Sequence, residues 1–378
     1  MKIGILTLPQ ETNYGGVLQA FALQYKLRSL GHEAIVIDRH KRHQYPSLGT
    51  HLMGYAKRLM EYFFLHKDVS VKWNPFQSEV DFKTSLSEVR VFIDRNMKMT
   101  RYVYNDQLKE IDNEYLFDAY IVGSDQVWLD YYCPNSFLDF VEREGVLKIT
   151  YAASCSLPKS FFQNKSKTRT CALLAKNFNG ISVREKQLVD KCEKYLGITP
   201  LWLIDPTMLL NKEDYLNIAM IKEKEKSSIF TYILDDNKNK SLIVEDIKKR
   251  FCLPTVNGNS KKVVKGVLVP ESVEKWLYHL NSSSFVVTDS FHGTVFSIIF
   301  NKPFVSIVNK YRGEDRFISL LEMFGLSDRL IYDDEFYKLK DLVEKPVDFD
   351  KVNAILKKEK EKAVAFLENC LKQNVSGI

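Results

Sequence analysis

Asp289, Ser290, His292 and Thr294 stand within six residues, directly after the apolar run Phe285-Val286-Val287-Thr288, and Gly293 opens a helical run to Phe300. An imidazole beside free helix N–H groups suits binding an anion and protonating an atom next to it. The plainer alternative is a histidine satisfied inside the fold. Arg184 follows the run Gly180-Ile181-Ser182-Val183 and precedes Glu185, where its guanidinium fork suits phosphate or carboxylate. Its alternative is an ion pair with Glu185 or another acid. Lys310, Arg312 and Arg316 cluster after Phe304–Val308 and either neutralise a phosphate or form a solvated face. Ser124-Asp125-Gln126 with Trp128 combines a carboxylate, an amide and an aromatic surface, the set that gathers sugar hydroxyls and stacks on a sugar face. A tryptophan there also serves as plain packing. Asn13-Tyr14-Gly15-Gly16 lets a ligand approach backbone and a helix N-terminus, or is a tight turn. It is neither GxGxxG nor a P-loop.

These loops share one feature: each follows a short apolar strand, the position where parallel α/β sheets bind ligands. Lys2–Leu8 reads as a strand, Val17–Leu30 as a helix ending at Gly31 in a left-handed cap, and Glu33–Asp38 as the next strand, a right-handed βαβ opening. Strands follow at Tyr115–Val122 and Lys148–Ala153. A second series is expected from about residue 176, with strands at 180–183, 201–204, 228–234, 262–269, 285–288 and 304–308 separated by helices. The fold class is therefore α/β, with two doubly wound, Rossmann-like domains facing a cleft. Residues 1–175 form the N-terminal domain and 176–345 the C-terminal one. A final helix in 346–378, with Val352, Ile355, Leu356, Ala363, Phe366, Leu367, Cys370 and Leu371 on one stripe, is expected to pack across the boundary.

The 378 residues carry 54 basic and 48 acidic side chains, a net +6, with 45% hydrophobic residues. That composition excludes disordered and fibrous classes and favours anionic small molecules or a lipid surface over duplex DNA. The opening residues lack a signal-peptide core and no run reaches bilayer length, so the expected location is cytoplasmic. The six cysteines make no CxxC pair and read as free thiols, mostly buried.

The loops taken together resemble the polysaccharide pyruvyl transferase family. The matching pieces are Asn13-Tyr14-Gly15-Gly16-Val17-Leu18-Gln19-Ala20, Ile121–Trp128, Tyr151–Ser154, Ile181–Glu185, Asp205-Pro206-Thr207 and Thr288–Thr294, in family order over about residues 3 to 330. The resemblance implies a two-domain GT-B-type protein that takes phosphoenolpyruvate and attaches its three carbons to a sugar as a cyclic ketal, releasing phosphate. The donor-loop histidine of the family falls on His292 and its arginine after a strand on Arg184. Some members carry arginine two residues before that histidine, where this chain has Ser290, so Arg316, Arg312 or Lys310 must supply the charge. Phosphoenolpyruvate must be protonated at C3 as C2 becomes electrophilic, the role implied for His292. Donor contacts are expected from Arg184, Ser290, Phe291, Gly293, Thr294, Arg312 and Arg316. Asp125 is the expected acceptor base or positioning group, and Asn13, Tyr14, Gly15, Gly16, Gln19, Gln126 and Trp128 line the acceptor side. Neither cofactor nor metal enters this scheme, and no nucleic-acid partner.

The implied acceptor is a galactose-type sugar in capsule or exopolysaccharide assembly. Arg39-His40-Lys41-Arg42-His43 and the helix near 51–66, with Lys57, Arg58, Tyr62, Phe63, Phe64 and Lys67, interleave basic and aromatic residues. They suit a lipid-diphosphate carrier and peripheral contact with the inner face of a membrane, or a helical excursion packed on the first domain. Two rivals stand beside this reading. One is a nucleotide-sugar glycosyltransferase of the same fold, which needs a ribose carboxylate for which Asp289 is the candidate. The other is a binding protein without turnover.

Overall fold

A computed structural model describes residues 1–40, 48–63, 79–155, 159–219, 227–308 and 313–372. Lys41, Arg42, His43, Phe64, Lys67, Lys310 and Arg312 lie outside them, as do the side chains of Arg58 and Tyr62.

Eight strands belong to the first half: β1 Lys2–Leu6, β2 Glu33–Val36, β3 Arg39–His40, β4 Val103–Tyr104, β5 Ala119–Val122, β6 Leu147–Ala153, β7 Gly180–Val183 and β8 Leu201–Trp202. Six of them form one parallel sheet in the order β2-β1-β5-β6-β7-β8, and β3 pairs with β4 beside it. The second half holds β9 Ser228–Tyr232, β10 Thr255–Asn257, β11 Lys261–Val264, β12 Val267–Pro270, β13 Ser283–Thr288, β14 Phe304–Val308 and β15 Leu330–Tyr332. Its parallel sheet runs β10-β9-β13-β14-β15. Two Rossmann-like sheets are therefore present, as expected.

The boundary is not where the sequence suggested. β7 and β8, read as the start of the second series, hydrogen-bond to the first sheet, so the second sheet begins only at Ser228 rather than after residue 175. Regular strand–helix alternation continues through this region without a break, so periodicity carries no mark of which sheet a strand joins. The strand expected over 262–269 is a hairpin, β11 against β12. Lys265 and Gly266 both take positive φ, 50° and 78°, the pairing that a tight two-residue hairpin turn requires.

Both sheets reverse direction at one point: order changes between β1 and β5 in the first and between β9 and β13 in the second. Crevices at such points are where open α/β sheets bind ligands. The helix after β1, α1 (Tyr14–Ser29), is capped by Asn13, whose side chain accepts from Gly15 N, and Gly31 ends it at φ 85°. It is apolar nearly all round because it lies between the sheets: one buried cluster joins Ile3, Val17 and Leu23 to Tyr232, Trp276, Phe296 and Val308.

The last helix, Phe349–Lys372, buries Val352, Leu356, Ala363, Phe366, Leu367, Cys370 and Leu371, with Ile355 half-buried. It runs back onto the first half. Cys370 and Phe366 sit over Gly180, Phe366 packs on Tyr151, and Lys360 Nζ donates to the Leu210 carbonyl at 2.8 Å. No helix among the described residues is long and apolar enough to cross a membrane.

Candidate active site

Four strand ends and one helix start converge between the halves. β7 delivers Arg184, and the turn after β8 delivers Asp205, whose side chain accepts from Thr207 N at 3.0 Å and Thr207 Oγ1 at 2.7 Å. Pro206 follows at the first position of that turn, where its missing N–H costs nothing. β5 delivers Ser124 and Asp125, and β6 delivers Ser154. From the second half, β13 delivers the helix Phe291–Ile299, capped by Ser290, with His292 in its first turn.

Asp205 is the hub. Arg184 Nη1 donates to its Oδ2 at 2.7 Å, Ser124 Oγ lies 3.2 Å from the same oxygen, and His292 Nε2 reaches it at 3.6 Å, an ion-pair distance rather than a hydrogen bond. Burial alone would raise this carboxyl. The imidazole, the Arg184 guanidinium and the Thr207 N–H outweigh that and hold it well below the usual carboxylate range. Glu185, buried behind Arg184 and accepting from Ser154 Oγ, is pushed up by burial, with Arg184 opposing.

Arg184 is correspondingly committed. Nη2 donates to Ser154 Oγ at 3.0 Å, Asp125 and Glu185 stand 3.6 and 3.5 Å away, and the ring of Phe291 covers the guanidinium at 4.2 Å. Burial would lower its pKa, and the three carboxylates more than reverse this. The expectation that its fork reaches out to a donor is corrected: the fork is turned onto Asp205, the ion-pair alternative. Only Nε lacks a hydrogen bond among the described residues. Arg316, 5.8 Å from the centre of the Phe291 ring, is a further cation near this cluster and also acts on Glu185.

Two backbones here are strained. Asp125 takes φ 69° and Ala152 takes φ 50°, both outside the ordinary range for side chains with a Cβ. Ala152 sits at the register shift in β6, where its carbonyl accepts from Ser124 Oγ at 2.8 Å. The bulge lies just before Ser154, which meets Arg184 Nη2.

His292 is 5% exposed, Arg184 4% and Asp205 1%. Part of this cover comes from α1: a Cβ on Gly15 would run into the His292 ring, so the first turn of the N-terminal helix lies directly on the imidazole of the other half. Gly15 is thus placed at the site, as a packing surface for His292. Asn13 is exposed, and Gln126 is half-exposed with its backbone N–H donating to Asp125 Oδ1.

Other expected contacts move to structural roles. The Trp128 ring is fully buried, stacked on Phe137 at 5.3 Å and edge-on to Phe161, so it has no face for a sugar. Gln19 is buried, donating to Thr7 Oγ1 and the Gly16 carbonyl. Tyr14 spans the halves instead of facing an acceptor: its hydroxyl donates to the Glu271 carbonyl at 2.7 Å and its ring packs on Trp276. Gly16 is buried in α1 with Asn13 beside it. Thr294 lies 2.6 Å from Ser306 Oγ and Gly293 packs on Thr288, so neither points at a donor. Asp289 accepts from Leu234 N, Asp235 N and the buried Lys240 ammonium at 2.7, 3.1 and 2.6 Å, which commits most of the acceptor capacity of the carboxylate considered for a ribose. Sequence reasoning marks Asp205 only as part of the piece Asp205-Pro206-Thr207 and gives it no role in the site. Its signal was available: an acid directly after a strand, followed by proline.

A family model described as polysaccharide pyruvyl transferase matches residues 13–311. The fold is similar to that of UDP-GlcNAc 2-epimerase from Neisseria meningitidis, with TM-score 0.55, 11% identity and coverage of 97% of this chain and 99% of that one. It is also similar to the enzyme of the same name from Methanocaldococcus jannaschii, with TM-score 0.54, 11% identity and coverage of 92% and 93%. At that identity the likeness is one of fold, the GT-B type. Comparison with curated proteins gives no match.

Proposed function

Because the chain belongs to the polysaccharide pyruvyl transferase family, we propose that it transfers the three-carbon pyruvyl unit of phosphoenolpyruvate, as a cyclic ketal, to a pair of hydroxyls on a galactose-type hexose of a capsular or exopolysaccharide precursor. The observation that carries this reading is the meeting of His292 from one half with Asp205 from the other, 3.6 Å apart at the strand ends.

In this scheme His292, oriented by Asp205, delivers a proton to C3 of the donor. C2 then accepts the first sugar hydroxyl, whose proton passes to Asp125 as the base. Phosphate leaves C2, and the second hydroxyl closes the ketal while its proton goes to the departing phosphate. Asp125 then releases its proton to solvent and His292 takes one up, so both groups return to their starting states and the net reaction places one sugar proton on C3 and the other on phosphate. The donor carries up to about three negative charges, and three carboxylates already surround Arg184. Arg316 and the N-terminus of the His292 helix therefore take the larger share of donor phosphate, in place of the family arginine that Ser290 replaces. Admission of either substrate requires the Gly15–His292 contact to part.

For the carrier, Leu52, Met53 and Met60 are exposed along the helix Leu48–Phe63, beside the exposed Lys57. An apolar face of this kind supports contact with a lipid surface. Arg39 and His40 do not share in it, since both are buried.

The test is phosphate release from phosphoenolpyruvate in the presence of galactosides, with mass analysis of the product sugar. Hexose transfer from a nucleotide sugar, without consumption of phosphoenolpyruvate, would sink the reading.

A further inference from the structure

The guanidinium of Arg39 is fully buried, and Nε, Nη1 and Nη2 all lack a hydrogen-bond partner among the described residues. Buried guanidinium groups are ordinarily held by carboxylates or carbonyls, because removing the charge from water is costly. Strand geometry explains why neighbouring Asp38 does not serve. Successive side chains of an extended chain leave on opposite faces, so Asp38 and His40 turn together to Arg90, which donates to the two Asp38 oxygens at 3.0 and 3.1 Å. Arg39 turns the other way, onto the Tyr132 ring at 4.6 Å. The titratable groups that act on it are Tyr132, Cys133 and Tyr131, with no carboxylate among them, and burial pulls its pKa down to about 10. A cation–π contact offsets part of the cost and uses none of the five N–H donors.

Arg39 lies just past the carboxyl end of β2, the edge strand next to the reversal point of the first sheet. Four strand spacings separate β2 from β7, about 19 Å, so a three-carbon donor held at His292 does not reach it. A carboxylate or a single phosphate fills one edge of the fork bidentately, and the two phosphoryl groups of a diphosphate carry oxygens enough for both edges.

We propose that Arg39 is an anion-recognition residue of the first half and takes a phosphate or diphosphate group joined to the saccharide acceptor. That the anion belongs to an acceptor rests on the transferase reading; the anion site itself does not.

Calorimetric titration of the full chain with inorganic pyrophosphate tests it, comparing wild type, Arg39→Met, Arg39→Lys and His292→Ala. Wild type should bind, Arg39→Met at least tenfold more weakly, Arg39→Lys in between, and His292→Ala within about threefold of wild type. Without ligand, Arg39→Met should melt no lower than wild type, because it removes an unpaired buried charge. Parallel titrations with UDP-galactose and with vesicles carrying a polyprenyl-diphosphate sugar tell a soluble carrier from a lipid one, and Arg39→Met should weaken whichever binds. No pyrophosphate binding by wild type, equal binding by Arg39→Met, or equal loss in His292→Ala overturns the proposal. A failed phosphoenolpyruvate assay bears on the transferase reading and leaves these titrations intact.

Discussion

At the scale of single residues, the site is a buried charge network in which Asp205 couples a guanidinium to an imidazole. Removing His292 should remove the proton donor while leaving the surrounding cations in place. His292→Ala is expected to slow phosphate release by roughly 10²–10⁴-fold, as for one acid–base group, with donor affinity within about tenfold. Unchanged turnover would return His292 to a packing role. Arg184→Ala should behave differently from a lost donor contact. It strands Asp205, Asp125 and Glu185 without their buried counter-ion, so the expected result is a stability loss of about 3–5 kcal/mol in denaturant titrations. Asp205 has its own pH signature. Because its folded pKa is depressed, its charge contributes stability above the unfolded carboxyl value near 3.9 and loses it only as pH falls below that. The melting temperature of Asp205→Asn should lie below wild type by a steady amount between about pH 5 and 7, and the gap should close on acidification below about 4. A gap that persists unchanged into strong acid would trace the loss to packing instead.

At the scale of elements, short strands matter less for their length than for what their ends aim. β8 has two residues, yet the turn after it sets Asp205. The β6 bulge, with Ala152 in a left-handed conformation, lies just before Ser154, which meets Arg184. The C-terminal helix closes over the far side of the same strands, and Gly180 is its seat. A Cβ there would collide with Cys370 Sγ and press on Phe366. Gly180→Ala should therefore cost roughly 1–3 kcal/mol as an overpacked contact, and proteolysis should cut the helix 349–372 faster than in wild type. Equal protease resistance would mean that the helix shifts to absorb the methyl group.

At the scale of the molecule, a shared apolar core and polar ties hold the halves together: Tyr14 to the Glu271 carbonyl, and Arg95 to Glu274 at 3.4 Å. With His292 under Gly15, the proposed reaction requires this seam to open. In a Cys252→Ser background, since Cys252 is the exposed thiol among the described residues, a short bismaleimide between Arg95→Cys and Glu274→Cys should abolish turnover. The unbridged double variant should stay active. Full activity of the bridged protein would show that substrates reach His292 without parting the halves.

Much of this was legible in the chain itself, for a local reason: a strand, the turn after it and a helix cap are written in consecutive residues. The loops at Asp125, Arg184 and His292, the left-handed Gly31, the two-sheet α/β plan and the apolar stripe of the last helix all follow from such runs. Partnership is not local. Arg184 and Asp205 are 21 residues apart and meet because β7 and β8 are neighbours in one sheet, and His292 joins them from a different sheet altogether. Whether Trp128 meets solvent or Phe137, whether Asp289 faces a ligand or Lys240, and which sheet claims β7 depend on packing between distant segments. Tertiary structure alone decided those, because burial belongs to the surroundings of a residue and not to its type.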